Sequence, residues 1–438
     1  MGRYRPYPEY KDSGVIWSGF IPSHWEPIRF KHVFVEKPKT SNIELPAGSI
    51  SFGQVVFKDE EKLAEETKAS YQEVKVGEFL VNPLNLNFDL KSLRTALSEI
   101  DVVVSTGYIV LQCYRQLEAR YARWLLHEFD VAHMKSLGAG VRQTIGFNDI
   151  GNSYFCMPRL EEQLTIAAFL DHETARIDRL IAKQQQLIEL LKEKRQAVIS
   201  HAVTKGLNPN TPMKDSGVEW LGQVPEHWGV SPLKYKCEFS GGGTPSKDNL
   251  EYWNGSIPWV SPKDMKSFWI TDAEDKITEQ AIKESSTKLV QPGAVLMVVR
   301  SGILQRTIPV GINTIPVTMN QDMKAIRFSS AVYAEWLSFF IKGYEDSLLL
   351  DWRKQGATVE SIEHEYLANS LILFPPEEEA RSIIAALGRR LDKFDQLEQR
   401  ASDAITLLQE RRTALISAAV TGKIDLRGWT PPAEEVAA

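Results

Sequence analysis

The sequence predicts a mixed α/β (α+β) protein, in which two globular domains are separated by two long helices that form an antiparallel coiled coil, the whole arranged as a pseudo-two-fold tandem repeat. Three observations carry this. A short tryptophan-rich motif occurs twice in the 438 residues. A long proline-free stretch of heptad character also occurs twice. Between motif and heptads, in both halves, short β-rich runs alternate with turn clusters.

The first repeated element is a lead-in. Residues 11–25 read KDSGVIWSGFIPSHW and residues 214–228 read KDSGVEWLGQVPEHW, identical at ten of fifteen positions. Trp17 matches Trp220, Pro22 matches Pro225, His24 matches His227 and Trp25 matches Trp228. A histidine repeated beside a tryptophan reads as a satisfied imidazole in a packed corner.

The second element is a variable domain, residues 26–157 and 229–374. The two copies share little beyond their exits, where Ile150, Asn152 and Ser153 fall opposite Leu367, Asn369 and Ser370, ahead of Pro158 and Pro375. Asp101–Val104, Tyr108–Cys113, Ala294–Val299 and Ile308–Ile312 read as strands, and Leu117–Phe129 and Ala331–Tyr344 as helices. The bend SGGGTPS, residues 240–246, lacks the spacing of a phosphate loop and reads as a flexible or close-packed turn.

The third element is the helix. Residues 161–204 and 378–421 are identical at eighteen of forty-four positions. Seven-residue spacing runs through Ile177, Gln184, Leu191 and Val198, and through Phe394, Ala401, Leu408 and Leu415. That is a coiled-coil seam, broken once by Gln184 as a register-fixing polar residue. Residues 177–203 alone span about 40 Å at 1.5 Å per residue. Glu161, Glu162 and Glu377–Glu379 suit the positive N-terminal end of each helix, and Gly206 and Gly422 stop them. Two helices of equal length and phase in one chain favour mutual pairing over packing on separate domains. The repeat order also predicts that each lead-in packs at the end of the other repeat's helix, with the termini close together. The expected boundaries are 1–157 for the first lead-in and domain, 158–210 for the first helix, 211–374 for the second lead-in and domain, 375–424 for the second helix, and 425–438 for a flexible tail.

Composition narrows the function. Apolar residues make up 43% and charged residues 25%, which excludes extended low-complexity disorder. No uncharged apolar run approaches the ~18 residues of a membrane span. MGRYRPYPEY has no apolar core, so no signal peptide is expected. Cys113, Cys156 and Cys237 are too far apart for a metal knuckle or a disulfide framework, and read as buried thiols in a reducing cytoplasm. Net charge is −6, and each variable domain holds 15 Lys+Arg against 17 Asp+Glu, a balance of −2. A free-standing nucleic-acid binder usually carries a basic surplus, so any phosphate neutralisation falls to local patches or to partners.

Catalytic signatures are missing from the sequence. The eight histidines form no HExxH pattern. NPLN at Asn82–Asn85 and FPPE at Phe374–Glu377 fall short of a base-modifying loop. The carboxylates and lysines of Glu189–Lys194 lie on a coiled-coil face, where solvation is the simpler reading.

Over nearly its whole length the chain resembles the specificity (S) subunit of type I restriction–modification systems. The marks are the two lead-ins, PRLEEQ at Pro158–Gln163, the helix ends KEKRQAVISHAVTKG and QERRTALISAAVTGK, and GGTPS followed by YWNGSIPWVSPKDM within residues 242–265. PPEEEA at Pro375–Ala380 departs from the pattern by lacking the Glu-Gln pair. The resemblance implies a non-catalytic subunit whose two target recognition domains each read one half of a bipartite, asymmetric sequence in double-stranded DNA. It implies that the helix pair sets the spacer and docks two methyltransferase (M) subunits. S-adenosylmethionine would sit on those partners and no cofactor on this chain, while a separate restriction/translocase (R) subunit would move and cut DNA. A coiled-coil adaptor between proteins, without DNA readout, is the alternative that also explains the duplication.

For base reading we expect polar loop residues of the variable domains. In the first these are Ser51, Gln54, Asn85, Arg142 and Gln143; in the second, Thr244, Ser246, Lys247, Trp259, Ser261, Lys263, Arg300, Ser301, Asn320 and Gln321. Arginine matches the guanine edge bidentately, and asparagine or glutamine matches adenine.

Overall fold

The structure is a computed structural model and describes residues 4–61, 63–84, 93–114, 116–137, 144–354 and 359–432. It forms two compact units, Met1–Gln184 with Asp403–Ala438, and Gln185–Ser402. Each has its own large apolar core.

The first unit opens on its lead-in, a hairpin of Tyr10–Asp12 with Phe20–Pro22. Glu26–Arg29 then pairs antiparallel with Tyr154–Met157, which brings the start and finish of the variable domain together. Between them an antiparallel sheet has the order Phe34–Glu36, Ile109–Cys113, Phe79–Val81, Thr95–Leu97. The same unit holds a hairpin of Gly48–Ser51 and Gln54–Phe57 and a pair of Gln72–Val74 with Val102–Val104. The helix Ala119–Ala132 is capped by the Glu118 carboxylate, which accepts from Tyr121 N at 2.7 Å. It buries Tyr121, Ala122, Leu125, Leu126 and Phe129, the helical spacing of a single apolar face. Phe129 meets Phe30 at 4.5 Å between ring centroids, and Phe30 meets Phe155 at 4.7 Å.

The second unit repeats the frame and changes the filling. Met213–Asp215 pairs with Gln223–Pro225, and Gly229–Pro232 with Leu371–Phe374. The exits match atom for atom: Ser153 O accepts from Phe30 N at 3.1 Å, and Ser370 O accepts from Leu233 N at 3.0 Å. The sheet inside differs, with order Cys237–Gly241, Met323–Phe328, Val295–Val298, Val310–Asn313, Trp269–Ile270, the last pair parallel. A smaller sheet joins Lys276–Ile277, Trp253–Val260 and Thr318–Met319. Ala331–Gly343, an apolar helix, contributes Trp336, Leu337, Phe340 and Ile341 to the core.

The long helices run Leu160–Lys205, 46 residues, and Glu377–Val420, 44 residues. At 1.5 Å per residue the first is about 69 Å long. The expected 40 Å counted only the heptad part; the helices begin as soon as the prolines allow. Pairing is antiparallel within each unit. In the first, Arg412 Nε lies 3.0 Å from Asp178 Oδ1, and Ile177 shares a core with Leu415 and Ile416. In the second, Arg195 Nη1 lies 2.6 Å from Asp395 Oδ1, and Ile199 shares a core with Ile383 and Leu387. Of the proposed seam, Ile177, Leu191, Ala401 and Leu415 are buried, while Gln184, Val198, Phe394 and Leu408 are half-buried.

Each lead-in meets the end of the helix from the other repeat, as the repeat order requires. Gly422 adopts φ 70°, and a Cβ there would stand 2.5 Å from Pro22 Cδ. Gly206 adopts φ 72° against the Trp228 ring. Lys423 Nζ donates to Ser18 O and Phe20 O, and Lys205 Nζ to Gln223 O. The first and last described segments meet within the first unit, where Asp425 N donates to Arg5 O at 2.8 Å. Of the tail expected to be flexible, 425–438, residues 425–432 instead fold back onto the unit, and 433–438 lie outside the described residues. Leu426 is buried and the Trp429 ring stands 5.4 Å from Phe169, because the helix stop returns the chain onto the lead-in. The cysteines also differ from expectation, since only Cys156 is buried and Cys113 and Cys237 are half-buried. Burial nonetheless pushes the Cys237 thiol up to about 12. Among the described residues no helix is long and apolar enough to cross a membrane.

Candidate nucleic-acid interface

In the second unit the strand Val295–Val298 delivers Arg300 to a tight turn. Val299 N and Arg300 N both donate to Asp322 O, at 2.8 and 3.2 Å. The same aspartate receives the side chains. Arg300 Nε lies 2.8 Å from Asp322 Oδ1, and Gln321 Nε2 and Asn320 Nδ2 each lie 3.4 Å from Oδ2. Thr244 donates to Gln321 Oε1. Ser301 Oγ accepts from Ile303 N at 3.4 Å, capping the short helix Gly302–Gln305. Thr244, Arg300, Ser301, Asn320 and Gln321 are thus gathered into one cluster. Arg300 is 57% exposed along its side chain, and its outer nitrogens make no hydrogen bond among the described residues. Asp322 therefore aims the guanidinium from behind and leaves its fork open, the arrangement a bidentate acceptor needs.

The glycine bend beneath is close-packed. A Cβ on Gly242 would fall 1.9 Å from Asn320 O, and one on Gly243 2.7 Å from Ser286 Oγ. Only glycine lets these backbones approach. Three expected readers support this platform instead of being presented by it. Trp259 is 6% exposed, with Nε1 donating to Gly243 O at 2.9 Å. Ser261 is buried and donates to Asp264 Oδ2 at 2.8 Å, and Asn320 is buried in the turn. Their polar groups are used inside the protein. Lys263 stays accessible 2.9 Å from Asp275, whose hydrogen bond raises the lysine pKa; Ser246 and Lys247 are exposed.

Sequence reasoning missed Asp322, and it missed Lys324, whose Nζ lies 2.9 Å from His364 Nδ1. Burial, then the lysine charge, lower the His364 pKa. Neither pairing has a local sequence signature, because the partners come from distant segments.

In the first unit Ser51 and Gln54 face each other across the tip of the hairpin, the former half-buried and the latter exposed. Asn85, Arg142 and Gln143 lie outside the described residues. The tip borders a cleft of about 320 Å³ that also contains Arg123, Trp124, His127 and Arg412. Arg123 and Trp124 both reach Asp171 Oδ1, at 3.1 and 2.9 Å. Burial first, then the charges of Arg412 and Arg123, depress the His127 pKa to about 4.

The repeated histidines are structural clamps. His24 Nε2 lies 2.9 Å from Glu162 Oε2 and His227 Nε2 lies 2.6 Å from Glu379 Oε2, each tying a lead-in to the start of a long helix.

A duplicated frame of lead-in and paired helix that carries two unlike modules defines the class: a two-module tandem-repeat protein. Comparison with known proteins finds similarity over part of the chain. Residues 225–407 match the type I restriction modification DNA specificity domain. The EcoR124I/EcoR124II specificity subunit of Escherichia coli is 36% identical over 195 residues, 44% of this chain and 44% of that protein. The MjaIX specificity subunit of Methanocaldococcus jannaschii is 32% identical over 173 residues, 38% of each. These alignments span less than half the length of the curated relatives. In fold the likeness extends further. A structure from work on complex assembly and conformational transition of the type I R-M system has a TM-score of 0.71 at 17% identity, covering 92% of this chain and 99% of that one. The HsdS subunit from Thermoanaerobacter tengcongensis has a TM-score of 0.56 at 17% identity, covering 92% and 98%. Residues 225–407 are thus similar to type I restriction modification DNA specificity domains, and over 92% of its length the chain shares the fold of these two structures.

Proposed function

We propose that the chain is the DNA sequence-specificity subunit of a type I restriction–modification complex, working in the cytoplasm. Each variable domain reads one half of a bipartite, asymmetric target. The helix pair sets the spacer and docks two methyltransferase subunits, which carry S-adenosylmethionine, and a restriction/translocase subunit completes the assembly. The chain itself performs no catalysis. One observation carries this reading: the frame around the second module, which lies in the matched segment, recurs around the first. Lead-in hairpin, start–finish strand pair and His–Glu clamp are all repeated. A frame held constant around two unlike modules is what two different half-sites require.

The proposed readers are Ser51 and Gln54 in the first module, with Asn85, Arg142 and Gln143 as further candidates. In the second they are Thr244, Ser246, Lys247, Lys263, Arg300, Ser301 and Gln321. The test is filter binding of duplex DNA by the chain co-expressed with its methyltransferase, together with methylome sequencing of the host. A split motif and salt-sensitive specific binding are expected. A complex that retains the methyltransferase but neither binds DNA specifically nor methylates a split motif would establish the adaptor role instead.

A further inference from the structure

Two non-glycine residues among those described adopt a left-handed backbone, Phe52 at φ 48° and Asn254 at φ 59°. Asparagine tolerates that region through its short polar side chain; a bulky aromatic does not. Phe52 is the first loop residue of the hairpin Gly48–Ser51/Gln54–Phe57, and Gly53 follows at φ 77°. Two left-handed residues make a type I′ turn, whose first position normally takes Asn, Asp or Gly. The strain is not offset by burial, because Phe52 is 88% exposed. An outlier that is costly in both backbone and solvation points to a functional demand at that position.

The hairpin is built to hold this ring out rigidly. At its root Gly48 sits so close to Val102 that a Cβ would come within 2.8 Å of Val102 Cγ2. At its tip Gly53 lies on Leu93. The ring is flanked by Ser51 and Gln54, a hydroxyl and an amide, and the two cleft arginines behind it are matched by Asp171 and Asp178. A protein pocket for an aromatic tip would favour apolar neighbours around it. A flat apolar ring between two hydrogen-bonding side chains instead matches a base step, with stacking for the ring and base edges for Ser51 and Gln54.

We propose that Phe52 is a wedge that enters a base step of the half-site read by the first unit; this rests on the DNA-reading function proposed above. Insertion unstacks the step and bends the duplex, and the flanking residues then reach the adjoining pairs.

The experiment uses the complex of the full chain with its co-expressed methyltransferase. The probe is a duplex carrying the motif from methylome sequencing, with 2-aminopurine placed in turn at each position of the half-site assigned to the first unit. Wild type should raise fluorescence at one step. Phe52→Ala should abolish the rise and weaken binding by about tenfold or more, as loss of a base-stacking aromatic does. Phe52→Trp should keep both. Phe52→Asn should also lose both while raising the melting temperature, because asparagine relieves the backbone; a structural role would move stability the other way. Unchanged fluorescence at every step in wild type, or binding by Phe52→Ala within about twofold of wild type, overturns the wedge and leaves the DNA-reading function standing. Loss of methyltransferase from the Phe52→Ala complex also overturns it, by showing that the tip contacts protein. A wild-type complex that binds no duplex removes both proposals together.

Discussion

At the start of the first long helix the carbonyl of Pro158 accepts from Gln163 Nε2 at 3.0 Å; at the start of the second, the carbonyl of Pro375 accepts from Tyr333 Oη at 3.0 Å. The two prolines occupy equivalent places in the repeat, and their donors come from different sources. Gln163 belongs to the frame. It also accepts from Glu118 N at 2.8 Å and donates to Gln116 O at 3.3 Å, so it grips the first module by its backbone. In the second half the matching residue is Ala380, fully buried, and the module supplies Tyr333 from its own helix. The missing Glu-Gln pair in PPEEEA thus has a physical counterpart. One joint lets the frame hold whatever backbone arrives; the other needs a module with a tyrosine at the right place.

The largest expected effect tests the frame-held joint. Gln163→Ala removes three hydrogen bonds from a buried site and leaves the Pro158 carbonyl and the Glu118 amide without partners. It also weakens the Glu118 cap of the helix Ala119–Ala132. A loss of about 2–4 kcal/mol is expected, confined to the first unit. Hydrogen exchange should increase around Gln116–Tyr121 with the second unit unchanged. Equal loosening of both units would show that Gln163 does not belong to one joint alone.

How much of this was readable beforehand follows the same division. The frame was readable because it is written twice: lead-ins, exits, helices and stops recur at fixed offsets, and the clamp histidines stand out by repetition. The strand Val295–Val298 was visible from an uninterrupted apolar run, and the helix Ala331–Gly343 from a longer apolar stretch broken only by Glu335, Ser338 and Lys342 before its closing glycine. The cluster around Asp322 was half visible, since polar loop residues can be picked from a sequence while the carboxylate that gathers them cannot. Trp259, Ser261 and Asn320 were misplaced for the same reason: nothing local distinguishes a polar group that faces a partner from one that secures a close-packed turn. The hairpin at Phe52 escaped because phenylalanine is the wrong residue for a type I′ turn.

The second prediction compares the units in acid. His127 is held neutral, with its pKa near 4, by burial and two arginines. Its unfolded value is about 6.5, so below that pH the unfolded chain takes up a proton that the folded chain refuses. The stabilisation is complete above pH 6.5 and is lost as pH falls towards 4. At about 1.4 kcal/mol per unit, the first unit should lose about 2–3 kcal/mol across this window. His127→Gln should flatten the loss. In the second unit His364 shifts in the same direction, by burial and then Lys324, and lies in no comparable arginine cleft. Denaturant midpoints at pH 7 and 4.5, read separately for each unit by hydrogen exchange, measure the contrast. An unchanged pH dependence in His127→Gln would mean the imidazole is not held neutral.

The proposed reading surfaces differ as well, a hairpin tip in the first unit and an aspartate-centred cluster in the second. Arg300→Ala removes the open fork without touching the core. Specific binding should weaken by about 1–3 kcal/mol, with discrimination relaxed at one base pair of the second half-site. Asp322→Asn keeps the turn and removes the charge that aims the guanidinium, so it should reproduce part of the loss. Methylation of an unchanged motif at wild-type efficiency by Arg300→Ala would remove that arginine from the interface.

The smallest effect isolates the module-held joint. Tyr333→Phe deletes one hydroxyl and keeps the ring, which stands 5.6 Å from Phe374 and 6.3 Å from Phe328. Burial raises the Tyr333 pKa, so the group is a protonated donor over the whole useful pH range. The substitution leaves the buried Pro375 carbonyl without its side-chain donor and costs about 0.5–1.5 kcal/mol, the net worth of one hydrogen bond. That is less than Gln163→Ala should cost, because Tyr333 makes one bond where Gln163 makes three. The two variants therefore rank the joints: hydrogen exchange at Leu371–Phe374 should rise only modestly in Tyr333→Phe, against a large rise at Gln116–Tyr121 in Gln163→Ala. Equal losses would mean that both joints rest on the shared proline carbonyl alone, and that the frame's additional grip on the first module contributes nothing.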